Sequence, residues 1–218
     1  MELTSSSETK TLQDGDLIFI AVPSFLFRQV AAATSSWTSH VGLILHDEAG
    51  IPWVYESAIP RARRVSLESF IARSENQRYA ITRPTEPLNE AQRQTLKHAA
   101  ASRLGRWYDL GFDYNGRGQF CSKFVQECYH EATGRGIGQE LTFRELLAAN
   151  PEHGLTFWRW WFAGLIPWNR RTVSPASQLE SPEMTLLWDS DATPTLASHS
   201  STSPWAGVRQ STKPAGAQ

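Results

Sequence analysis

The sequence predicts an α+β domain in which an antiparallel sheet packs against a helix that carries a cysteine. Two strand-like segments, 39–45 and 53–57, flank the stretch 46–50, whose turn-forming residues predict a hairpin. Farther along the chain, apolar residues follow Cys121 at helical spacing and share its face of a predicted helix. These residues are Phe124, Val125 and Cys128. We therefore expect this helix to be buried against the sheet.

The other elements follow from apolar periodicity and from residues that begin or end helices. Asn89 is a good N-cap for a helix over 89–104, because Gln92 stands three residues further on, and Gly105 ends that helix. In chain order, the remaining predictions are a strand at 16–22, a helix or loop at 23–33, a short helix at 67–72, a strand at 79–83, a helix at 142–149, a capped helical turn at 173–179 and a strand at 184–188.

Length and composition indicate one enzyme-sized domain with short appendages. The chain has 218 residues and a net charge of −1, which gives no indication of nucleic-acid binding. We expect a flexible N-terminus over 1–11, a hydrolase domain over 12–190 and a disordered tail over 191–218, where Ser, Thr, Pro, Ala and Gly recur.

Cys121 is the candidate nucleophile. It begins a predicted helix directly after a glycine-containing loop, and a thiol in the first helical turn is favoured as the thiolate by the positive end of the helix dipole. Cys128 lies seven residues on, about 10 Å along the helix axis, too far for a disulfide. We expect both thiols to be free, with Cys128 an ordinary core cysteine.

His40 and Glu56 are the candidate base and its orienting group. If Leu45 pairs with Ile51 in the predicted hairpin, His40 lies directly opposite Glu56 on one face of the sheet, within hydrogen-bonding reach. A slip of one residue would place the two side chains on opposite faces. A surface hairpin with an incidental histidine and glutamate is the alternative.

Five short blocks carry a resemblance to a known family. They are Gly15-Asp16-Leu17-Ile18-Phe19, Ser39-His40-Val41-Gly42, Tyr55-Glu56-Ser57, Gly105-Arg106-Trp107-Tyr108-Asp109 and Phe120-Cys121-Ser122. In this order the chain resembles the permuted papain-like YiiX/YaeF family, relatives of the NlpC-type cell-wall peptidases. The resemblance implies a circularly permuted papain-like fold, with the family's histidine, acidic residue and cysteine at His40, Glu56 and Cys121. Lys123 and Phe124 depart from it, since the family often has an acidic residue and leucine there.

The resemblance implies a cysteine amidase or endopeptidase that forms an acyl-enzyme. His40 would take the thiol proton, and the backbone N–H of Cys121, with Tyr108 or Gln119, would stabilise the oxyanion. Peptidoglycan stem peptides are the expected substrate. The alternatives are a lipid esterase or acyltransferase of the lecithin–retinol acyltransferase type, or a binding module without catalysis.

An aromatic insertion at about 150–171 is the least ordinary segment. Five of the six residues in 157–162 are aromatic, and Arg170 and Arg171 follow. Such a segment is compatible with a membrane interface, a groove for a glycan or acyl chain, a partner-binding surface, or a helix packed on the core.

Metals, cofactors and targeting complete the expectations. The histidines and cysteines show no paired-ligand spacing and no phosphate-binding glycine loop is evident, so we expect no metal and no cofactor. The N-terminus resembles no secretory signal peptide. We therefore expect synthesis in the cytoplasm, with two alternatives. Either the substrate is intracellular, or, for a cell-wall substrate, a specialised system secretes the protein into a target-cell periplasm as an antibacterial effector with an export or immunity partner.

Overall fold

Six antiparallel strands form the main sheet of the computed structural model, which describes residues 11–191. The strands of the protein are β1 Leu17–Ile20, β2 His40–His46, β3 Pro52–Ser57, β4 Ala62–Ser66, β5 Tyr79–Pro84, β6 Glu140–Thr142, β7 Arg171–Val173 and β8 Met184–Asp189. The main sheet has the order β4-β3-β2-β1-β5-β8, and β6 pairs with β7 in a small second sheet. The antiparallel sheet predicted from the sequence is confirmed.

Seven α-helices surround the sheet in the described part of the chain. They are α1 Phe25–Ala33, α2 Leu67–Ile71, α3 Glu90–Arg103, α4 Cys121–Thr133, α5 Phe143–Ala149, α6 Thr156–Trp161 and α7 Pro175–Leu179. Asn89 and Gln92 form the predicted capping box at the start of α3, with both hydrogen bonds at 2.9 Å. The cysteine helix predicted after the glycine loop is α4.

The two faces of the sheet bury different helices. Alternate residues of β1 and β2, such as Phe19 and Leu43, pack with Phe124 and Cys128 of α4 in one core cluster. The intervening residues of β1 and β2, whose side chains lie on the other face of the sheet, pack with Phe70 of α2 in a second cluster. The predicted packing of a cysteine-bearing helix on the sheet is confirmed, since α4 lies against β2 and β3.

The hairpin of β2 and β3 has a register two residues away from the predicted one. Leu45 pairs with Trp53 rather than with Ile51, so Glu56 is level with Gly42 and not with His40. A shift of two residues preserves the face on which each side chain lies, because side chains alternate with a period of two. His40 and Glu56 therefore remain neighbours on one face, diagonally instead of directly opposite.

Three short strands were not predicted from the sequence. They are β4, β6 and β7. The expected flexible segment 1–11 and tail 191–218 fall almost wholly outside the described residues. Within residues 11–191, none of the helices has the length and hydrophobicity that crossing a membrane requires.

Candidate active site

Cys121 is the first residue of α4, and no side chain caps the first turn of this helix. The first helical hydrogen bond is donated by the N–H of Phe124 to Phe120, so the preceding amides of the turn are left for other acceptors. The loop before the helix approaches itself closely, because a Cβ on Gly118 would lie 2.8 Å from the Cβ of Asp109. The thiol thus lies at the positive end of α4, as predicted.

His40 and Glu56 form a fully buried pair beside this thiol. Nε2 of His40 and Oε2 of Glu56 are 2.5 Å apart, and their side chains are 1% and 0% exposed. A carboxylate only accepts hydrogen bonds, so Nε2–H of His40 is the donor and Nδ1 is left for the other partner. Nδ1 has no conventional hydrogen bond within the described chain, and the remaining group that interacts with the ring is Cys121. The structure therefore brings together the three residues predicted from the sequence.

Aromatic rings fix the orientation of the imidazole. The His40 ring stacks on Phe70 of α2 at 5.6 Å with an interplanar angle of 27°, and the edge of Phe27 of α1 contacts it at 5.9 Å. Gly42 makes this possible, because a Cβ there would lie 2.3 Å from Val54 and 3.0 Å from Phe70. Gly42, two residues after His40, therefore leaves the space in which the Phe70 ring stacks on the imidazole.

Two arginines complete the surroundings of Glu56. Nε of Arg63 donates to Oε1 at 3.0 Å, and a guanidinium nitrogen of Arg73 donates to Oε2 at 2.7 Å. Burial alone would raise the pKa of Glu56, but its bonds to His40 and Arg73 lower it from 4.5 to about 2. The carboxylate therefore stays ionised at any ordinary pH and can stabilise a charged imidazole.

The thiol and the imidazole stabilise each other's charged forms. Burial alone would lower the pKa of His40, but the Cys121 thiolate and Glu56 together raise it from 6.5 to about 9. Burial would likewise raise the pKa of Cys121, but the imidazolium, together with backbone N–H groups of Val41 and Ser122, lowers it below its ordinary value. Around neutral pH the arrangement favours a thiolate–imidazolium pair. Such a pair is a prepared nucleophile with its proton donor alongside.

Tyr108 lies at the site and Gln119 is directed elsewhere. Burial is the largest influence on the Tyr108 hydroxyl and the neighbouring Cys121 is the next. Together they raise its pKa well above 10, so it remains a neutral donor. That hydroxyl is buried and makes no conventional hydrogen bond in the described residues, which leaves its proton available to an oxyanion. The side-chain nitrogen of Gln119 instead donates to Glu127 at 2.7 Å. The prediction that Gln119 supplies an oxyanion donor is therefore not supported, because its amide is held by the glutamate two turns along α4.

Lys123, which departs from the pattern of the family, has a side chain that is only 2% exposed. Its ammonium donates to the carbonyls of Gly116 and Gly118, at 2.6 and 2.9 Å. Burial, as the largest influence, lowers the pKa of this ammonium. The lysine thus fastens the glycine loop to the helix that carries the nucleophile. This role was not predicted from the sequence.

An apolar pocket opens beside Cys121 and Tyr108. Its walls come from α1, the glycine loop, α5, α6 and β7, and most of them are aromatic or aliphatic. The largest of these side chains are Phe27, Phe112, Phe120, Phe143 and Trp158. A wider cavity lies near the other end of α4, lined by residues such as Leu88 and Tyr129, but it contains none of the groups described above.

A buried thiol at a helix start, paired with an imidazole and a carboxylate on an antiparallel sheet, defines the papain-like class of cysteine hydrolases. The model of the permuted papain-like amidases of the YaeF/YiiX type, family C92, matches residues 11–188. The chain belongs to this family. The resemblance stated from the sequence blocks is confirmed, and with it the permuted papain-like fold.

A solved structure agrees with this assignment. The protein is similar to a chain described as the metalloprotein yiiX from Escherichia coli O157:H7, with 28% identity and a TM-score of 0.75. The alignment covers 81% of this chain and 97% of that one. No curated protein matches the sequence.

The description of that neighbour as a metalloprotein has no counterpart among the described residues of this protein. Over residues 11–191, no three or more histidine, cysteine, aspartate or glutamate side chains are grouped so as to hold a metal ion. The donors at Cys121 are one imidazole and one carboxylate that is already bound by two arginines. The described side chains around Cys121 therefore do not fit a metal ion.

Proposed function

We propose that the protein cleaves an amide bond through a thioester acyl-enzyme formed on Cys121. The observation that carries this proposal is the buried 2.5 Å contact between His40 and Glu56 beside a thiol whose pKa is lowered. The thiolate attacks the carbonyl carbon, and the resulting oxyanion accepts hydrogen bonds from the Cys121 N–H and the Tyr108 hydroxyl. The imidazolium of His40 then donates its proton to the departing amine.

In the second half of the reaction His40 acts as a base, and the Cys121 thiolate becomes the leaving group. Neutral His40 accepts a proton from water, the hydroxide attacks the thioester carbonyl, and the thiolate leaves as the acid is released. Glu56 remains ionised throughout, because its two arginine partners and its low pKa oppose protonation. Its role is to orient the ring and stabilise its positive charge.

Peptidoglycan stem peptides are the first candidate substrate, on the basis of the relation to cell-wall peptidases. In this proposal the enzyme acts in the periplasm of a target cell, as an exported antibacterial effector with an immunity partner. We expect it to be harmless when made in the bacterial cytoplasm and lytic when an added signal sequence directs it to the periplasm. Lysis that persists in Cys121→Ala, or killing from the cytoplasm, would contradict this location and substrate.

A lipid amide or ester is the second candidate, favoured by the apolar lining of the pocket beside the thiol and not by its size, since the cavity has a volume of only about 30 Å³. Stem peptides carry charged carboxylates and amines, whereas the pocket walls are dominated by phenylalanine and tryptophan side chains. An apolar acyl group would gain about 0.8 kcal/mol for each methylene that it buries there. At about 30 Å³ the cavity has room for about two water molecules, so an acyl chain at Cys121 would need its walls to move apart or would extend out of it.

One experiment tests the chemistry and separates the substrates. Purified protein is incubated with sacculi and, separately, with N-acyl amides and phospholipids, and the products are identified by mass spectrometry. Cys121→Ala and His40→Ala should each lower the rate at least about a thousandfold, because the two residues act as one proton-transfer unit. Cys128→Ala is the matched control and should retain activity. If Cys128→Ala is as damaging as Cys121→Ala, the assignment of the nucleophile is wrong.

A further inference from the structure

We propose that the protein docks on an anionic lipid surface through an exposed aromatic face formed by α1 and α6. We define this aromatic face as Phe25, Phe157, Trp160, Trp161 and Leu165. Three of these side chains are strongly exposed, with Phe25 at 65%, Trp160 at 70% and Leu165 at 83%. Exposed aromatic and leucine side chains of this size are typical of proteins that insert into the interface of a bilayer.

The four aromatic members of this face form one continuous surface. The ring of Phe25 contacts Phe157 at 5.4 Å, and Phe157 contacts Trp160 at 6.2 Å and Trp161 at 5.6 Å. The indole N–H of Trp161 donates to the carbonyl of Leu110, itself a partly exposed residue. A single apolar patch, and not scattered side chains, therefore faces the solvent.

The segment that carries this face has a firm base in the protein. Trp158 is 4% exposed and packs edge-on against Phe143 and Phe112 at 5.7 and 6.3 Å. The chain then turns at Ala163 and Gly164, whose φ angles of 49° and 87° lie in the left-handed region, and Leu165 follows with its side chain in solvent. One side of α6 is thus anchored in the core while Trp160 points outward.

The charge of the segment that carries the aromatic face favours an anionic membrane as the surface to which it binds. The stretch 154–179 contains three arginines and no aspartate or glutamate, but Arg170 and Arg171 are paired with carboxylates of other segments. Arg159 lies on α6 beside Trp160, is exposed, and has no ion pair with the described residues. Unpaired arginine next to exposed tryptophan matches the headgroup region of a bilayer rich in anionic lipid.

The aromatic face adjoins the pocket at Cys121. Trp158 contacts Phe157 of the face at 4.9 Å and is also a wall of the pocket. Docking would therefore bring the pocket close to the lipid headgroups. The proposal does not depend on catalysis, so Cys121→Ala should bind lipid as the active protein does.

Vesicle binding tests the proposal. The full chain is sedimented with vesicles of phosphatidylcholine alone and with vesicles containing phosphatidylglycerol, with thermal unfolding as the folding control. We expect binding to the phosphatidylglycerol vesicles that weakens with salt, and a blue shift of tryptophan fluorescence. Trp160→Ser with Leu165→Ser should weaken binding by at least about tenfold. Arg159→Gln should weaken it about fivefold, which corresponds to about 1 kcal/mol for one basic residue at an anionic surface.

Trp107→Ser is the matched control for loss of an exposed tryptophan. Trp107 is 61% exposed and has a guanidinium, that of Arg61, 4.0 Å from its ring centroid, but it lies outside the aromatic face. Binding should be retained in this variant. The proposal is overturned if the folded double variant binds as wild type does, if Trp107→Ser loses binding equally, or if neither vesicle is bound. A dimer in solution that the double variant abolishes would also overturn it, in favour of a second copy as the occupant.

Discussion

Replacing Glu56 by glutamine should destabilise the protein in a way that depends on pH. The carboxylate is fully buried and accepts hydrogen bonds from His40, Arg63 and Arg73. Its pKa is lowered from 4.5 to about 2, and a difference of one pKa unit corresponds to 1.36 kcal/mol. The ionised form therefore contributes about 3 kcal/mol to the free energy of unfolding at pH 7.

The direction of the pH dependence follows from the lowered pKa. Below pH 4.5 the unfolded chain begins to bind a proton that the folded protein still excludes, so the contribution falls as the pH falls towards 2. The linkage relation predicts a remaining contribution of about 1 kcal/mol at pH 3. The free-energy difference between wild type and Glu56→Gln should thus shrink by about 2 kcal/mol from pH 7 to pH 3.

Urea unfolding at a series of pH values measures this difference. Glu48→Gln is the matched control, since Glu48 is exposed in the turn between β2 and β3 and has no ion pair within the described chain. It should change the free energy of unfolding by no more than about 0.5 kcal/mol. A loss for Glu56→Gln that is equally small at pH 7, or one that stays constant down to pH 3, would refute the reasoning.

Three further predictions concern the surroundings of the thiol. Tyr108→Phe should lower kcat about 100-fold with little change in KM, because the hydroxyl acts on the oxyanion; an equal loss in ground-state binding would contradict this. Lys123→Met should lower the free energy of unfolding by about 1–3 kcal/mol in urea titrations, since Gly116 and Gly118 lose a charged donor; an unchanged midpoint would show that the loop holds without it. The rate should fall as the pH rises through about 9, where His40 loses the proton that its raised pKa retains below that value. A pH–rate profile still rising at pH 10 would contradict that assignment.

Much of the site could be predicted because its residues are marked by local patterns. The hairpin was recognisable from its turn-forming stretch, and the period of two kept His40 and Glu56 on one face although the register was wrong by two residues. The helix start at Cys121 was indicated by the glycine loop before it. These signals lie within short windows of sequence.

The missed features depend on contacts between distant segments or on weak local patterns. Strand β4 contains two consecutive arginines and no clear alternation, so neither the strand nor the pairing of Arg63 with Glu56 was evident. Arg73 reaches the same carboxylate from beyond α2, 17 residues after it in the chain. Gln119 is one of the two oxyanion donors expected from the sequence, but Glu127 binds its amide. Side-chain partners of this kind are set by packing, which the sequence pattern does not contain.

The sequence does not decide whether the aromatic segment packs on the core, lines a groove, or forms a partner-binding or membrane surface, and the structure shows a packed side and an exposed side in one helix. Trp158 is buried while Trp160 is exposed, although only one residue separates them. In a helix of under two turns, neighbours two residues apart point to different sides, so a run of aromatics necessarily covers both.

The reactivity of the two thiols with iodoacetamide, measured against pH, tests the central claim of a thiolate–imidazolium pair most directly. Cys121 should react with a midpoint well below the ordinary cysteine value of about 8.5, and His40→Ala should move that midpoint upward. Cys128 should stay unreactive in the folded protein, because burial raises its pKa to about 12. Equal labelling of the two thiols, or a Cys121 midpoint near 8.5 that His40→Ala leaves unchanged, would contradict the pair.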